Sequence, residues 1–178
     1  SLSMQTGKTK WVMETRCYND GFAFRYVIPG QAKRTISGEA TSFVLPAGYT
    51  VKALGYRGPG EEGLVTEFSS ETLSAKKPIS MPLVYFSSKA KRFNAILEGG
   101  GFTYHGVSLS ADGKNTLRSH FLDMPSWSVT GTIESSWRII CSCDDLNGLV
   151  NSDLVHNVCP PPDKTLFPQG MHTKWIQP

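Results

Sequence analysis

The stretch "KWVMETRCYNDGFAFRYVI", residues 10–28, decides the fold class because it has the pattern of two strands joined by a tight turn. Its first half alternates loosely between apolar and polar side chains. Its second half places three aromatic side chains on one face, since successive residues of a strand point to opposite faces: Phe22, Phe24 and Tyr26. Between the halves lies Asn19-Asp20-Gly21, and Asn and Gly tolerate the left-handed backbone of hairpin turns. The stretch therefore predicts an antiparallel hairpin.

The alternation of side chains with a period of two recurs along the rest of the chain. Further strands are predicted near 35–45, 49–56, 64–69, 80–86, 91–98, 102–109, 115–121, 126–132 and 136–143. The last of these, "SWRIICSC", is continuously apolar in its middle, as expected for a strand buried on both faces. One short helix is predicted after Asp144 and Asp145, either of which can cap it. Many short strands at near-regular spacing predict an all-β fold, an antiparallel β-sandwich with one short helix.

Composition narrows the function classes. The chain has 178 residues with a net charge of +3, and its basic residues are scattered, which argues against nucleic acid as a partner. The 17 glycines and 11 prolines favour turns over long helices. No run approaches the roughly 20 apolar residues of a membrane helix, so no membrane span is predicted. The chain shows no signal peptide.

The four cysteines, Cys17, Cys141, Cys143 and Cys159, leave alternatives open. Cys141 and Cys143 would share one face of a strand, where they cannot easily bond each other. Together with His156 and Cys159 they could instead bind zinc, although Cys-x-Cys matches the usual spacing poorly. An unrelated secreted interaction domain built on disulfides is a third alternative, and buried free thiols are the simplest.

Motifs of catalysis are missing from the sequence: it has no Gly-x-Ser-x-Gly elbow, phosphate loop or dinucleotide fingerprint. One carboxylate, Glu98, stands where a predicted strand runs into Gly99-Gly100-Gly101. Glycines there would let another chain or ligand approach closely. Glu98 is therefore either a solvated turn residue or a group directed at a partner.

Five segments resemble landmarks of the amino-terminal module of glycoside hydrolase family 97, and they occur in the same order. They are "YNDGFAFRY" (Tyr18–Tyr26), "MPLV" (Met81–Val84), "AILEGGGFTYHGVSL" (Ala95–Leu109), "SSWRIICSCDDLNGLVNSDLVHNVCPP" (Ser135–Pro161) and "TKWIQP" (Thr173–Pro178). The fourth is the most specific. The chain departs from the family pattern at Gly99, where alanine is usual, and at His105-Gly106-Val107.

The resemblance implies a sandwich of the large, galactose-mutarotase-like kind, also called a super-sandwich. It implies a module at 1–160 that is incomplete at its N-terminal side. It also implies an extended, proline-rich linker at 161–178 that leads toward a catalytic (β/α)8 barrel. That barrel and its acid and base carboxylates are not among these 178 residues. The chain alone is therefore expected to be inactive, because glycoside hydrolysis needs two placed carboxyl groups.

By the same resemblance, Glu98 occupies the position of a glutamate that reaches the mouth of the barrel and ligates calcium. The implied function is a non-catalytic N-terminal module of a calcium-dependent α-glycosidase, of the α-glucosidase or α-galactosidase type. The module would complete the active site for an α-linked oligosaccharide. No catalytic residue is assigned in the chain itself and its substrate-binding residues stay unknown. As a surface residue, Glu98 is expected to matter little to the stability of the isolated chain.

The family resemblance also implies a bacterial protein that is periplasmic or secreted. The alternative function is an independent carbohydrate-binding β-sandwich, which needs an exposed aromatic platform; the candidates are Trp127, Trp137 and Trp175. If strands are missing upstream, an unpaired sheet edge invites pairing with another chain, so a homodimer is expected.

Overall fold

The computed structural model describes residues 1–55, 63–73, 78–113, 115–121, 124–161, 163 and 165. The strands of the first half are β1 (Leu2–Thr6), β2 (Thr9–Tyr18), β3 (Gly21–Ile28), β4 (Lys33–Ile36), β5 (Ser42–Val44), β6 (Thr50–Gly55) and β7 (Val65–Ser69). Those of the second half are β8 (Ile79–Ser87), β9 (Arg92–Gly99), β10 (Val107–Ala111), β11 (Thr116–Phe121), β12 (Trp127–Thr130), β13 (Ile133–Glu134) and β14 (Trp137–Cys143). Two short helices follow, α1 (Leu146–Val150) and α2 (Leu154–Val158). The all-β, antiparallel sandwich class is confirmed.

The strands form one large antiparallel sheet and a small ribbon. The order along the large sheet is β1-β2-β3-β14-β9-β8-β10-β11-β5; in addition, β13 pairs with β3, and β6 pairs with both β8 and β7. The ribbon pairs β12 with β4. Within the described part of the chain, no helix is long and apolar enough to cross a membrane.

The main core is made by side chains that β5, β6, β8, β9, β10 and β11 direct to one side. Its fully buried members include Leu45, Val51, Leu83, Ile96, Leu109 and Leu117. Removal of such side chains from water is the chief stabilising term of a domain of this size. The position of β9 between β14 and β8 brings the end of β9, with Glu98, to the margin of this core.

The central strand β14 is covered on both faces, as its apolar sequence predicts. Ile140 packs against the main core, while Trp137 and Ile139 face the other way and pack against Leu154 and Val158 of α2. A side chain on either face of β14 is therefore removed from water. This makes a charged residue in the strand costly unless it has partners.

The predicted hairpin is confirmed. The register of β2 against β3 runs from Val12↔Val27 to Tyr18↔Gly21, which leaves Asn19 and Asp20 as the turn. Asp20 ties this turn to the rest of the domain: its backbone oxygen accepts from the Ser142 N–H at 2.8 Å, and its carboxylate accepts from the Ser152 hydroxyl at 2.5 Å.

Gly21→Ala is expected to lower the free energy of unfolding by about 1–3 kcal/mol, the usual cost of overpacking. An added Cβ would lie 2.4 Å from the Ile140 carbonyl oxygen and 2.4 Å from the Leu154 side chain. Urea denaturation of the two proteins measures the difference. Gly55→Ala is the matched control, since its Cβ would meet nothing within 4 Å among the described residues. Equal losses for the two variants would contradict the packing argument.

The helix prediction is right in place and incomplete in extent. The Asp145 carboxylate caps α1 by accepting from the Gly148 N–H at 2.7 Å, whereas Asp144 pairs with Arg92. After the turn at 151–153, α2 adds a second short helix that the sequence analysis did not predict. The predicted linker at 161–178 lies almost entirely outside the described residues.

Two predicted strands are wrong in their bounds, and two strands were not predicted. The strand predicted at 35–45 is divided into β4 and β5 by the segment 37–41, because Glu39 in that segment turns inward to a buried partner. The strand predicted at 102–109 begins only at Val107. The edge strand β1 and the two-residue β13 carry no strong alternation and were missed.

Candidate functional site

Glu98 lies near the end of β9, directly opposite Arg138 on the neighbouring strand β14. Its Oε1 accepts a hydrogen bond from Arg138 Nη1 at 2.6 Å, and its Oε2 accepts one from the Val107 N–H at 3.3 Å. The side chain is 20% exposed. Glu98 is therefore neither a free surface residue nor a solvated turn residue. The premise that Glu98 is a surface residue is corrected, because its carboxylate belongs to an ion-pair network with the buried Arg138.

Arg138 is the centre of that network, and its side chain is 0% exposed. Its Nε and Nη2 donate to the two carboxylate oxygens of Glu39 at 2.8 and 2.6 Å, while Nη1 reaches Glu98. Arginine suits this place because its planar fork matches one carboxylate with two parallel bonds and leaves a further donor for a second. Burial would lower the pKa of Arg138, but the bonds and charge of Glu39 and Glu98 outweigh burial and raise it. The guanidinium therefore stays charged.

Glu39 is the second carboxylate, and its side chain is only 3% exposed. Burial acts to raise its pKa, but the hydrogen bonds and charge of Arg138 dominate and lower it. Thr41 adds a hydrogen bond to Glu39 Oε1 at 2.6 Å. Because the folded pKa lies below the unfolded one, the stability from this carboxylate is present above the ordinary glutamate pKa. That stability is lost as the pH falls through the lowered value.

Two tyrosines surround the network. The Tyr104 ring centre lies 5.9 Å from the Arg138 guanidinium carbon, and its hydroxyl is close enough to Glu39 for that carboxylate to influence its pKa. The Tyr26 hydroxyl lies 2.8 Å from the Thr41 hydroxyl. Burial, followed for Tyr104 by the charge of Glu39, raises the pKa of both phenols. Both stay neutral hydrogen-bonding groups at physiological pH.

Sequence reasoning missed Glu39 and Arg138. Arg138 did give a signal, because a charged residue in the middle of "SWRIICSC" requires a buried partner once both faces of the strand are covered. Glu39 gave none, since it lies 99 residues away in sequence and in a segment that was predicted as a strand.

The glycines after Glu98 have internal roles. Gly99 is buried, and a Cβ there would lie 3.1 Å from Ile139 and 3.3 Å from Val158, so it is the close packing of α2 that favours glycine. Gly100 has a φ of +68°, which side chains rarely adopt. The prediction that these residues make room for a partner therefore needs correction at Gly99, which faces the chain's own helix.

The tryptophan candidates do not form one exposed platform. Trp137 is buried, with the guanidinium carbons of Arg16 and Arg25 at 4.6 and 5.0 Å from its ring centre. Trp127 is half-buried in an aromatic cluster with Tyr104, His105 and Phe121. Trp175 lies outside the described residues. Trp11 borders a largely apolar cleft of about 490 Å³, beside Tyr26 and Glu39.

All four cysteines are free thiols, so the disulfide alternative has no support. Cys141 and Cys143 are buried on one face of β14 with their sulfur atoms 3.8 Å apart. Burial, with a contribution from Cys141, raises the pKa of Cys143 to about 11. In the part of the chain that the structure describes, no group of three or more His, Cys, Asp or Glu side chains could hold a metal ion.

The chain is similar to known proteins both in sequence and in fold. Residues 1–161 match the family model described as Glycosyl-hydrolase 97 N-terminal. No curated protein matches the chain. The fold is similar to that of a Glycoside Hydrolase Family 97 enzyme from Pseudoalteromonas sp. strain K8, seen in complex with acarbose and, as a variant, with panose. Each match has a TM-score of 0.79 and 18% identity, and covers 89% of this chain and 25% of that chain.

A further similar structure is that of a beta-arabinopyranosidase, with a TM-score of 0.62 and 21% identity, covering 76% of this chain and 25% of that one. The chain thus spans about a quarter of the length of the solved structures that it matches. At 18–21% identity, the similarity to solved structures shows a shared fold only. The family is shown by the family model, which matches residues 1–161 of the 178. The chain belongs to the family of glycosyl-hydrolase 97 N-terminal domains.

Proposed function

We propose that this chain is a non-catalytic module of a calcium-dependent α-glycosidase. It would pack against a catalytic (β/α)8 barrel of the same parent protein and contribute Glu98 as one calcium ligand. The observation that carries the proposal is the state of Glu98: one carboxylate oxygen is anchored on Arg138, while the side chain stays partly exposed. The family membership and the quarter-length match to larger enzymes support a parent with a separate catalytic part.

The charges of the network suit a cation. Glu39 and Glu98 carry two negative charges and Arg138 one positive charge, which leaves a formal charge of −1 at the partly exposed Glu98 side chain. Calcium prefers carboxylate oxygen and takes six to eight ligands, so Glu98 fits as one member of a larger set. Among the described residues its Oε2 accepts one hydrogen bond, from Val107, and a carboxylate oxygen has a further lone pair that could bind a metal ion. The other ligands would come from the barrel.

When bound, calcium would supply positive charge that polarises the reacting sugar or its leaving group. The chain's own part would be to hold a negative oxygen at the module's margin and to shield the ion pair behind it from water. An α-glucosidase or α-galactosidase type, and a periplasmic or secreted location, are proposed from the family resemblance. The acarbose and panose complexes of the Pseudoalteromonas enzyme support an oligosaccharide substrate.

The isolated chain is expected to show no α-glycosidase activity, because no placed pair of acid and base carboxylates is assigned to it. The assay is nitrophenol release from nitrophenyl α-glucoside and α-galactoside with calcium added, and the full-length parent serves as the positive control. Turnover by the isolated chain clearly above that of buffer, in a preparation free of contaminating glycosidase, would overturn the role as a non-catalytic module.

Binding of the isolated chain to soluble α-glucan in an affinity gel separates this role from an independent carbohydrate-binding module. No binding is expected, since Trp137 is buried and Trp127 is half-buried among other rings. Clear retardation of the chain in the gel would favour the alternative.

A further inference from the structure

The two carboxylates of the network are not equivalent. Glu39 takes two of the three hydrogen bonds that Arg138 gives to carboxylates, in a fork that fixes the plane of the guanidinium. The N–H groups of Nη1 then lie in this fixed plane, and one of them donates to Glu98 Oε1 at 2.6 Å. The orientation of Glu98 therefore depends on Glu39, although no described hydrogen bond joins the two side chains directly.

Glu39 is in turn held from behind. Thr41 donates to its Oε1 at 2.6 Å, and the Thr41 hydroxyl lies 2.8 Å from the Tyr26 hydroxyl on β3. Glu39 lies outside any strand, in the segment between β4 and β5. Its side-chain contacts therefore fix its position, whereas the position of Arg138 is fixed by its place in β14.

We propose that Glu39 and Arg138 are positioning residues that hold the Glu98 carboxylate in the orientation required to bind calcium. This inference rests on the proposed function. Arg138 holds Oε1 and the Val107 N–H holds Oε2, and the lone pairs left on this partly exposed carboxylate would bind the metal ion. Partners that orient a metal ligand in this way commonly contribute about 10- to 100-fold to metal affinity.

The central variant is Arg138→Lys in the full-length parent protein, stripped of calcium and titrated with calcium in a calorimeter. Lysine keeps the positive charge but has no fork, so it cannot hold both carboxylates in fixed directions. The calcium dissociation constant is expected to rise about tenfold or more. The double variant Glu39→Gln/Arg138→Gln leaves the net charge unchanged and is expected to have the same effect. A loss in the double variant therefore reports geometry rather than charge.

Arg25→Lys is the matched control. Arg25 also bridges two carboxylates, Glu14 at 2.6 Å and Glu134 at 2.7 Å, but it lies against Trp137, on the face of the sheet opposite Arg138. Its replacement should leave calcium affinity unchanged. Should Arg138→Lys fail to fold, Thr41→Val keeps every charge and removes the hydroxyl that bonds Glu39 and contacts Tyr26, with an expected rise in the calcium dissociation constant of about two- to threefold.

Each outcome has a separate meaning. Unchanged calcium affinity in folded Arg138→Lys, in the double variant or in Thr41→Val overturns the positioning role. An equal loss in Arg25→Lys does so as well, because it would point to general destabilisation. Glu98→Gln, titrated in parallel, tests the proposed function itself: if it leaves calcium affinity unchanged, the metal role fails and not merely the positioning.

Discussion

Arg138→Met is expected to lower the free energy of unfolding of the isolated chain by about 3–5 kcal/mol. Methionine fills a similar volume but leaves Glu39, which is 3% exposed, without its two guanidinium bonds. A buried carboxylate without a cation must either remain charged in a poor solvent or take up a proton, and both are costly. Urea denaturation followed by tryptophan fluorescence, at neutral pH, measures the loss.

Two comparisons make this result specific. The double variant Glu39→Gln/Arg138→Met removes the buried charge together with its partner and should lose less than Arg138→Met alone, because no unpaired ion remains. Arg118→Met removes an arginine that pairs with Asp112 on the surface, where its side chain is 55% exposed, and should cost at most about 1 kcal/mol. A loss below about 1 kcal/mol for Arg138→Met would show that the network is not the structural centre described here.

If Glu98 is a calcium ligand as proposed, Glu98→Gln should reduce the activity of the full-length parent about a hundredfold or more and raise the calcium concentration needed for that activity. The amide keeps the shape of the side chain and can still accept from Arg138, but it no longer offers a charged oxygen to the metal ion. Activity is measured over a range of calcium concentrations. In the isolated chain the same change should cost only about 1–2 kcal/mol, since Arg138 keeps its fork with Glu39.

Glu98→Gln is thus expected to have a small effect on the stability of the isolated chain and a large effect on the activity of the full-length parent. A large loss in both would make Glu98 a structural residue, and no loss in the parent would end its role as a ligand. Glu134→Gln is the control, because Glu134 also accepts from an arginine, Arg25, yet lies on β13 away from the Arg138 network. Its replacement should leave the calcium requirement of the parent unchanged. The isolated wild-type chain should bind calcium only weakly, at about millimolar concentrations, because Glu98 is a single ligand.

The sequence was most informative where local rules decide the structure. The hairpin at Asn19-Asp20, the burial of β14 on both faces and the Asp145 cap each depend on a few adjacent residues, and all three were predicted correctly. Turn chemistry, strand alternation and helix capping act over short distances and leave a readable pattern.

The candidate site was only partly predictable, for the opposite reason. Glu98 was singled out through a family resemblance. Its partner Arg138 follows it by 40 residues, and Glu39 precedes Arg138 by 99 residues, so no local sequence pattern connects the three. The strand prediction at 35–45 failed at the same place. Alternation alone could not show that Glu39 must leave the strand path to reach a buried guanidinium.

The direct opposition of Glu98 and Arg138 across β9 and β14 also bears on how the chain selects one alignment of these strands. A slip by one residue would turn Glu98 toward the face that α2 covers, among Ile139 and Val158, and would leave an ionised carboxylate in apolar surroundings. A slip by two would restore the face but would separate the charges by about two residues of strand, roughly 7 Å. The aliphatic neighbours Ile96 and Ile140 discriminate such alignments weakly, because one apolar contact replaces another. The ion pair therefore favours the observed alignment of β9 and β14 over a slip by one or two residues.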